Sequence, residues 1–527
     1  MKPYIQPFER ALAIQELSSL SNAKPRLLRS AEEPGNLYAV NTTVQAKSLV
    51  ESLAYWEVIG RDVPLLTRQV LRERTVNVVR NGVNPLHIPQ LLQRQGLDAL
   101  PNRRCLRYGT HGIHEYRGKF FPQLVRSLLN IARVPAKGVV VDPMMGSGTT
   151  AVEAVLCGYR ALGLDMNPLS VLMAQTKCDL LGIDPKILET EYISIRDRLL
   201  TPLARRARDT AYLNSLADKD QAYLRQWFSE QVLSDLDLIA QSIENVKATP
   251  IRNFMRLALS NILRGVSWQK VDDLRIRKDV RPDEEIDPIR AFLEEIGRSA
   301  RLVLAFLHEN AACKLGVHEV SEGDARSLAS GLNRWRGRVD AVVTSPPYAT
   351  ALPYLDTDRL SLCYLNLLPR PEHRNRDQMM IGNREVTERL RREYWATFIE
   401  KRNDLPTSVS CLIERVGTLN STITVGFRRR NLPALLSKYF FDMREVLVGI
   451  KSLLKEGAPA YIVVGSNHTI AGGVHVDIDT CSLLKDLAVS VGLKFESRMS
   501  MEMLVSRDIF KNNTGSSEEI LCVRKGD

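Results

Sequence analysis

The sequence predicts an α/β protein built on a parallel sheet, and three features of one stretch predict it. Gly138-Val139-Val140-Val141 is a short β-branched run that stops at Asp142-Pro143, as a strand buried on both faces does where it leaves a sheet. Gly146 and Gly148 then stand in a turn, and the pattern beyond them predicts a helix from Thr149 to Cys157, closed by Gly158. Arg160 to Leu164 reads as a second buried strand, ending at Asp165. Strand, glycine loop, helix and strand make a βαβ unit, whose helical crossover lets the two strands run parallel.

Length and composition bound what surrounds this unit. At roughly 100 to 200 residues per domain, 527 residues predict two to four domains with sizeable cores. The 44% hydrophobic and 25% charged residues are ordinary for a globular chain and exclude a collagenous or wholly disordered one. Eight cysteines at 105, 157, 178, 313, 363, 411, 481 and 522 form no CxxC pair, so they are expected as reduced, mostly buried thiols. No apolar run approaches the ~18 residues of a membrane span, and Met1 to Arg10, with Glu9, lacks the apolar core of a signal peptide. A cytoplasmic protein with no membrane partner is the expectation. The net charge of +11 favours a polyanionic partner, nucleic acid before others.

Along the chain, residues 1–105 are mixed and show no repeat. Asn102 to Arg133 is a more basic block. From 179 to 314 long helical periodicity predicts an insertion with helices at 184–209, 221–246, 250–264 and 288–310, broken by the acidic, proline-containing stretch Asp279 to Pro288. The α/β rhythm resumes with strands at Val317 to Val320 and Val339 to Thr344. After a helix at 433–455 come strands at Ala458 to Gly465, Leu493 to Ser497 and Ile520 to Arg524. Seven strands are therefore expected, in an α/β domain made of 106–178, 315–350 and 433–527. The helical insertion 179–314 and the segment 351–432 divide it.

Residues able to do chemistry gather at the C-terminal ends of these strands, where ligands sit in doubly wound sheets. In Asp142-Pro-Met-Met-Gly-Ser-Gly-Thr-Thr150, Gly146 and Gly148 let backbone N–H groups approach a ligand with no Cβ in the way. The missing Lys after the glycines excludes a P-loop. Asp165 is placed to accept hydrogen bonds from ribose hydroxyls, or alternatively to cap a helix starting near Pro168. Thr344-Ser345-Pro346-Pro347-Tyr348 directly follows a buried strand, and its two prolines hold neighbouring polar groups rigidly beside an aromatic ring.

Taken together, Asp142-Pro-Met-Met-Gly-Ser-Gly-Thr-Thr150 and Ser345-Pro-Pro-Tyr348 resemble the S-adenosylmethionine-dependent DNA methyltransferases that modify exocyclic amino groups, the cytosine-N4 and adenine-N6 family. His114-Glu-Tyr-Arg-Gly-Lys-Phe-Phe-Pro122 looks like the family segment near the methionine end of the cofactor. Gly163-Leu-Asp-Met-Asn-Pro168 looks like its acidic second strand, and Gly323-Asp-Ala-Arg326 like its adenine-contacting Asp. Lys438-Tyr-Phe-Phe-Asp-Met443 and Ala460 to Gly465 look like the later part of the fold. The resemblance covers roughly 110–178 and 318–527 and implies a Rossmann-like seven-stranded methyltransferase sheet. It implies S-adenosyl-L-methionine as cofactor, bound by Lys119, Phe121, Pro122, Asp142, Pro143, Met144, Gly146, Gly148, Thr149, Thr150, Asp165, Asn167 and Asp324. It implies catalysis at Ser345, Pro346, Pro347 and Tyr348. Many relatives have an aromatic residue where this chain has Met144 or Met145, and the large insertion matches none of the family's usual motif orders.

An exocyclic amino nitrogen is a poor nucleophile because its lone pair is delocalised into the ring. Ser345 Oγ and the Pro346 carbonyl are acceptors for its N–H bonds, and Tyr348 offers a stacking face to a base taken out of the helix. In the resembled family Ser before Pro-Pro-Tyr goes mainly with cytosine-N4, and Asp or Asn mainly with adenine-N6. Cytosine-N4 methylation of double-stranded DNA is therefore expected, with a restriction endonuclease or defence system as functional partner. Adenine-N6 methylation, an RNA base or guanine-N2 methyltransferase, and a non-catalytic DNA-binding protein remain as alternatives. No metal is expected, and His111 and His114 read as turn or surface residues. Candidates for sequence recognition are the N-terminal hundred residues, the helical insertion and 351–432, which carries Arg374, Arg376, Arg389, Arg391, Arg392 and Arg428 to Arg430.

Overall fold

The computed structural model describes residues 1–28, 36–60, 63–79, 103–116, 118, 121–201, 210–270, 277–280, 286–311, 313–349, 354–384, 386–421, 425–502 and 517–526. Seven strands share one sheet: β1 (Val139–Asp142), β2 (Arg160–Asp165), β3 (Val317–Glu322), β4 (Ala341–Thr344), β5 (Pro459–Gly465), β6 (Leu493–Glu502) and β7 (Ser517–Lys525). Their spatial order is β3-β2-β1-β4-β5-β7-β6. β1 to β5 pair in parallel, and β7 is antiparallel to both β5 and β6. The expected α/β class and all seven strands are present. Strand order reverses between β1 and β4, which opens a crevice at their C-terminal ends.

The alternation of strand side chains builds two apolar layers. Val140, Ala161, Val343 and Val463 face the layer of α1 (Pro7–Ser21), α2 (Pro122–Ala132) and α3 (Thr149–Leu156). Val141, Leu162, Val342 and Ile462 face α12 (Phe427–Leu453) and α13 (Thr480–Ser490). The N-terminal residues therefore share the sheet's core rather than forming one of their own. Glu16 of α1 ties them in, accepting from Tyr55 N at 3.0 Å and from Asn130 Nδ2 of α2 at 2.9 Å.

A third apolar cluster lies beyond the sheet. It joins α4 (Pro168–Asp179) to α5 (Pro185–Leu200), α6 (Glu230–Glu244), α7 (Thr249–Leu263) and α8 (Pro288–Glu309). The expected helix at 221–246 is two pieces, Asp218–Arg225 and α6, because Ser229 Oγ accepts from Val232 N at 3.3 Å and starts a new helix. The segment 351–432 also divides. Its first helix, α9 (Tyr354–Tyr364), joins the helical layer through Ser260 Oγ donating to Ser361 Oγ at 2.8 Å. Its later helices, α10 (Glu388–Lys401) and α11 (Thr407–Ser421), pack on α12. Helix α12 starts at Phe427, six residues before the expected 433, although Pro433 lies inside it. The carbonyl of Arg429, four residues before that proline, accepts from Asn420 Nδ2 at 2.7 Å instead.

All eight cysteines are free, five of them buried. Among the described residues no helix is long and apolar enough to cross a membrane. His111 and His114 lie at a turn but are buried, not at the surface. His114 Nε2 lies 2.9 Å from Ser260 Oγ, and His111 Nε2 lies 2.9 Å from Glu153 Oε1. Glu153 of α3 also accepts from Tyr108 OH at 2.6 Å and Arg126 Nε at 2.8 Å. Burial alone would raise its carboxyl, but Arg126 and His111 outweigh burial and hold it at about 2.

Glu153→Ala is therefore expected to leave the buried Arg126 unpaired and to cost about 3 to 5 kcal/mol in urea denaturation at neutral pH. The Glu153 carboxyl is depressed in the folded state, so its contribution is present above an unfolded value near 4.5 and is lost as pH falls toward 2. The gap between wild type and variant should narrow over that window.

Candidate active site

The crevice between β1 and β4 is a cleft of about 220 Å³, walled by the loop after β1 and the turn after β4. Met145 N donates to Leu164 O at 3.0 Å and Gly148 N to Met145 O at 2.8 Å, which coils the loop tightly into α3. Gly146 and Gly148 have φ of +49° and +79°, a region that side chains resist. A Cβ at Gly148 would lie 2.6 Å from Ala174 Cβ, so glycine there also lets α3 and α4 approach. Lys177 Nζ, buried in α4, donates to Ser147 O at 2.8 Å and anchors the loop from behind.

Two carboxylates hold this wall, in different roles. Asp165 Oδ2 accepts from Gly146 N at 2.8 Å and Oδ1 from Asn167 N at 2.8 Å. The cap of α4 is Asn167, whose Oδ1 accepts from Leu169 N at 3.0 Å, so Asp165 is not the helix cap. Asp165 lines the cleft, and burial pushes its carboxyl up to about 6 against three backbone hydrogen bonds. Asp142 lies behind the wall. Its Oδ1 accepts from Thr344 Oγ1 at 2.7 Å and Met144 N at 3.2 Å, and burial pushes the carboxyl up to about 7.

The opposite wall is Ser345-Pro346-Pro347-Tyr348, all four of which line the cleft. Tyr348 OH donates to Glu518 Oε1 of β7. A Cβ at Gly465 would lie 3.0 Å from the Tyr348 ring, so the glycine ending β5 leaves room for the phenol. Gly382, at φ +76°, approaches so closely that its Cβ would meet Pro347 Cβ at 2.9 Å. The stretch carrying Met380 and Ile381 is thereby seated against the turn. Ser345 Oγ makes no hydrogen bond among the described residues, which leaves it open to a ligand.

Of the residues expected to hold a cofactor, Pro143, Met144, Gly146, Thr149 and Asp165 line the cleft. Thr150 Oγ1 donates to Val343 O at 3.1 Å and binds α3 to β4 instead. Asn167 caps α4 and donates to Asp358 Oδ2 at 2.9 Å. Phe121 lies under the Arg104 guanidinium at 4.5 Å and Pro122 is buried at the start of α2, while Lys119 lies outside the described residues. Asp324 stands between the cleft-lining Gly323 and Ala325, but its carboxylate pairs with Arg326 at 2.6 Å. Burial opposes that charge, yet bonding to Arg326 holds the Asp324 carboxyl below its ordinary range. Cleft residues outside the expected cofactor and catalytic sets are Tyr116, Gly118, Met145, Ser147, Met166, Gly323, Ala325, Met380, Ile381 and Glu518. Tyr116 and Gly118 stand inside a quoted motif, whereas nothing local marks Glu518, 170 residues from Tyr348. Among the described residues no group of His, Cys, Asp and Glu is placed to hold a metal ion.

The UPF0020 family model, an RMKL-like methyltransferase domain, matches residues 114–225. The chain is similar to the type II methyltransferase M.BsoBI of Geobacillus stearothermophilus, at 23% identity over 438 residues, 75% of this chain and 81% of that one. It is 27% identical over 297 residues to the type II methyltransferase M.MvaI of Kocuria varians, 52% of this chain and 62% of that one. It is 21% identical over 319 residues to M.MjaII of Methanocaldococcus jannaschii, 46% of this chain and 60% of that one. The chain thus spans less than two thirds of the last two. These similarities bear out the resemblance to S-adenosylmethionine-dependent methyltransferases that the two motifs carry.

Asp165→Ala should weaken S-adenosylmethionine binding in calorimetric titration by about 10- to 100-fold, through loss of a charged acceptor of roughly 1.5 to 3 kcal/mol. Unchanged affinity in the folded variant would reduce Asp165 to a tie between Gly146 and Asn167.

Proposed function

We propose that this protein is a site-specific DNA methyltransferase that transfers the methyl group of S-adenosylmethionine to the exocyclic N4 of cytosine, on a base turned out of the duplex. The observation that carries this reading is the meeting, across one cleft, of a glycine loop opening a helix and an unpartnered serine followed by Pro-Pro-Tyr. Similarity to type II methyltransferases supports DNA as the substrate and a place beside a restriction endonuclease.

The cleft fits the cofactor by its donors and its space. Gly146 keeps a side chain out of the cleft, and the Asp165 oxygens, which accept three backbone N–H groups, have a lone pair left for a ribose hydroxyl. When bound, the cofactor supplies a sulfonium methyl, an electrophile that needs an in-line amine.

This chain's residues supply the other half. Ser345 Oγ and the Pro346 carbonyl accept the two N–H bonds of the amino group, which favours a localised lone pair on nitrogen. Two prolines keep these acceptors from drifting, so most of the rate comes from orientation at about 3 to 3.5 Å. Tyr348, held by Glu518 and seated over Gly465, presents its ring to the extruded base. A neutral serine in first place supports cytosine as the base, since a carboxylate there would be the stronger acceptor that accompanies adenine-N6 transfer in the resembled family.

Tyr348→Ala should weaken productive DNA binding by ~1 to 3 kcal/mol while S-adenosylmethionine affinity stays unchanged. Ser345→Ala should lower turnover more than DNA affinity, because its hydrogen bond strengthens as the nitrogen becomes nucleophilic. Both variants are assayed for N4-methylcytosine and N6-methyladenine on duplex DNA, with tRNA in parallel. Full activity in both variants would remove the site; N6-methyladenine as sole product would change the base; transfer to tRNA alone would change the substrate.

A further inference from the structure

The arginines of residues 388–430 are not equivalent. Arg391 and Arg392 of α10 both pair with Glu388, and Arg389 lies 3.5 Å from Glu393. Arg428, Arg429 and Arg430, in the first turn of α12, form no ion pair among the described residues and are exposed. Phe427 beside them is 56% exposed. Three like charges in adjacent positions repel one another, and an exposed polyanion is the partner that relieves them.

These side chains are tied to the catalytic cleft by two routes. The first is α12 itself. Lys438 Nζ donates at 3.2 Å to the carbonyl of Met380, a cleft residue, and from Lys438 back to Arg429 the helix rises about 13 Å. The second is a hairpin of Asn467–Ala471 with Val474–Ile478, which leaves the end of β5. At its base Asn467 Nδ2 donates to the carbonyl of Ala349, the residue after Tyr348, at 3.0 Å. At its tip Gly472 N donates to Asn420 Oδ1 at 3.1 Å, while the Nδ2 of the same Asn420 holds the Arg429 carbonyl at 2.7 Å. A Cβ on Gly472 would meet Leu419 O at 2.2 Å, so the tip is pressed onto α11. Five extended residues span about 17 Å. Both routes tie the arginines to one rim of the cleft, one helix segment of about 13 Å beyond Lys438 and one strand of about 17 Å beyond Asn467, on a braced and not a loose support. Duplex DNA carries a charge about every 1.7 Å of its axis, so phosphates flanking a base seated in the cleft fall within that reach.

We propose that Arg428, Arg429 and Arg430, braced by Asn420 and the hairpin, grip the phosphate backbone of the duplex beside the extruded base. The assignment rests on the DNA-methyltransferase reading above and adds where the duplex lies. Contacts of this kind position the protein without reading sequence.

The test is equilibrium binding of the full chain to duplex DNA between about 50 and 200 mM salt. Wild type is compared with R428A/R429A/R430A and with R389A/R392A on α10, all changes at exposed positions. Each lost phosphate contact flattens the dependence of log affinity on log salt by about 0.9, so the rim variant should lose close to three from the slope. Its S-adenosylmethionine affinity should not change, and the α10 variant should keep the wild-type slope. A rim variant with the wild-type slope overturns the proposal while leaving the enzymatic reading intact, as does an α10 variant that loses as much. Wild type with no salt-dependent affinity for the duplex overturns the DNA reading, and the rim with it.

Discussion

The hydrogen bond from Thr344 Oγ1 to Asp142 Oδ1, at 2.7 Å between residues 202 apart, is the constraint on which the site depends. It joins the last residues of β1 and β4, the two strands between which the sheet reverses order. The glycine loop leaves one of these residues and the Ser-Pro-Pro-Tyr turn leaves the other. Methyl transfer requires a donor and an acceptor fixed within a fraction of an ångström, and loops hung from separate elements would not supply that. Thr150 Oγ1 adds a second tie, from α3 to β4, through Val343 O.

Electrostatics in the cleft follows from burial more than from charge pairing. Asp142 and Asp165 are pushed up to about 7 and about 6, and neither forms an ion pair among the described residues. Backbone N–H groups answer Asp165 instead, which leaves its oxygens directed by the loop that a ligand would touch. Asp324 is the opposite case. Arg326 neutralises it and is shared with Asp442 of α12 at 3.1 Å, so the end of β3 is fastened to the long helix that also carries Lys438.

Around this centre the other layers act as supports. Glu153 of α3 pairs with Arg126 and lies beside His111, so the helix that receives the glycine loop is anchored by a buried charge cluster. The helical layer meets the cleft wall at Asn167, which caps α4 and donates to Asp358 of α9, and α11 braces the start of α12 through Asn420. An extended region between 351 and 432 is therefore not a separate body but two sets of helices anchored to two different cores.

Local chemistry determined a great deal here. A β-branched run ending at Asp-Pro, two glycines at positive φ, a second run ending at Asp165 and a serine before two prolines specify strands, turns and exposed polar groups by short-range sterics alone. Each of the seven strands, α3 and the helices of the insertion is legible in that way, whereas α1, α2, α10, α11 and α13 carry no such local mark. What sequence could not show was which groups face one another. The covalent neighbourhood of Asp142, Thr150 and Asn167 marks them as motif residues, yet their side chains fasten strands and helices, and only the fold reveals it. Glu518 and Gly465 reach Tyr348 from distant parts of the chain, and Asn420 joins a hairpin tip to an arginine carbonyl that Pro433 leaves without its helical partner. The division has one cause. Backbone preference acts over a few residues, whereas burial and side-chain pairing depend on strand order, which brings together residues that the sequence separates by hundreds of positions.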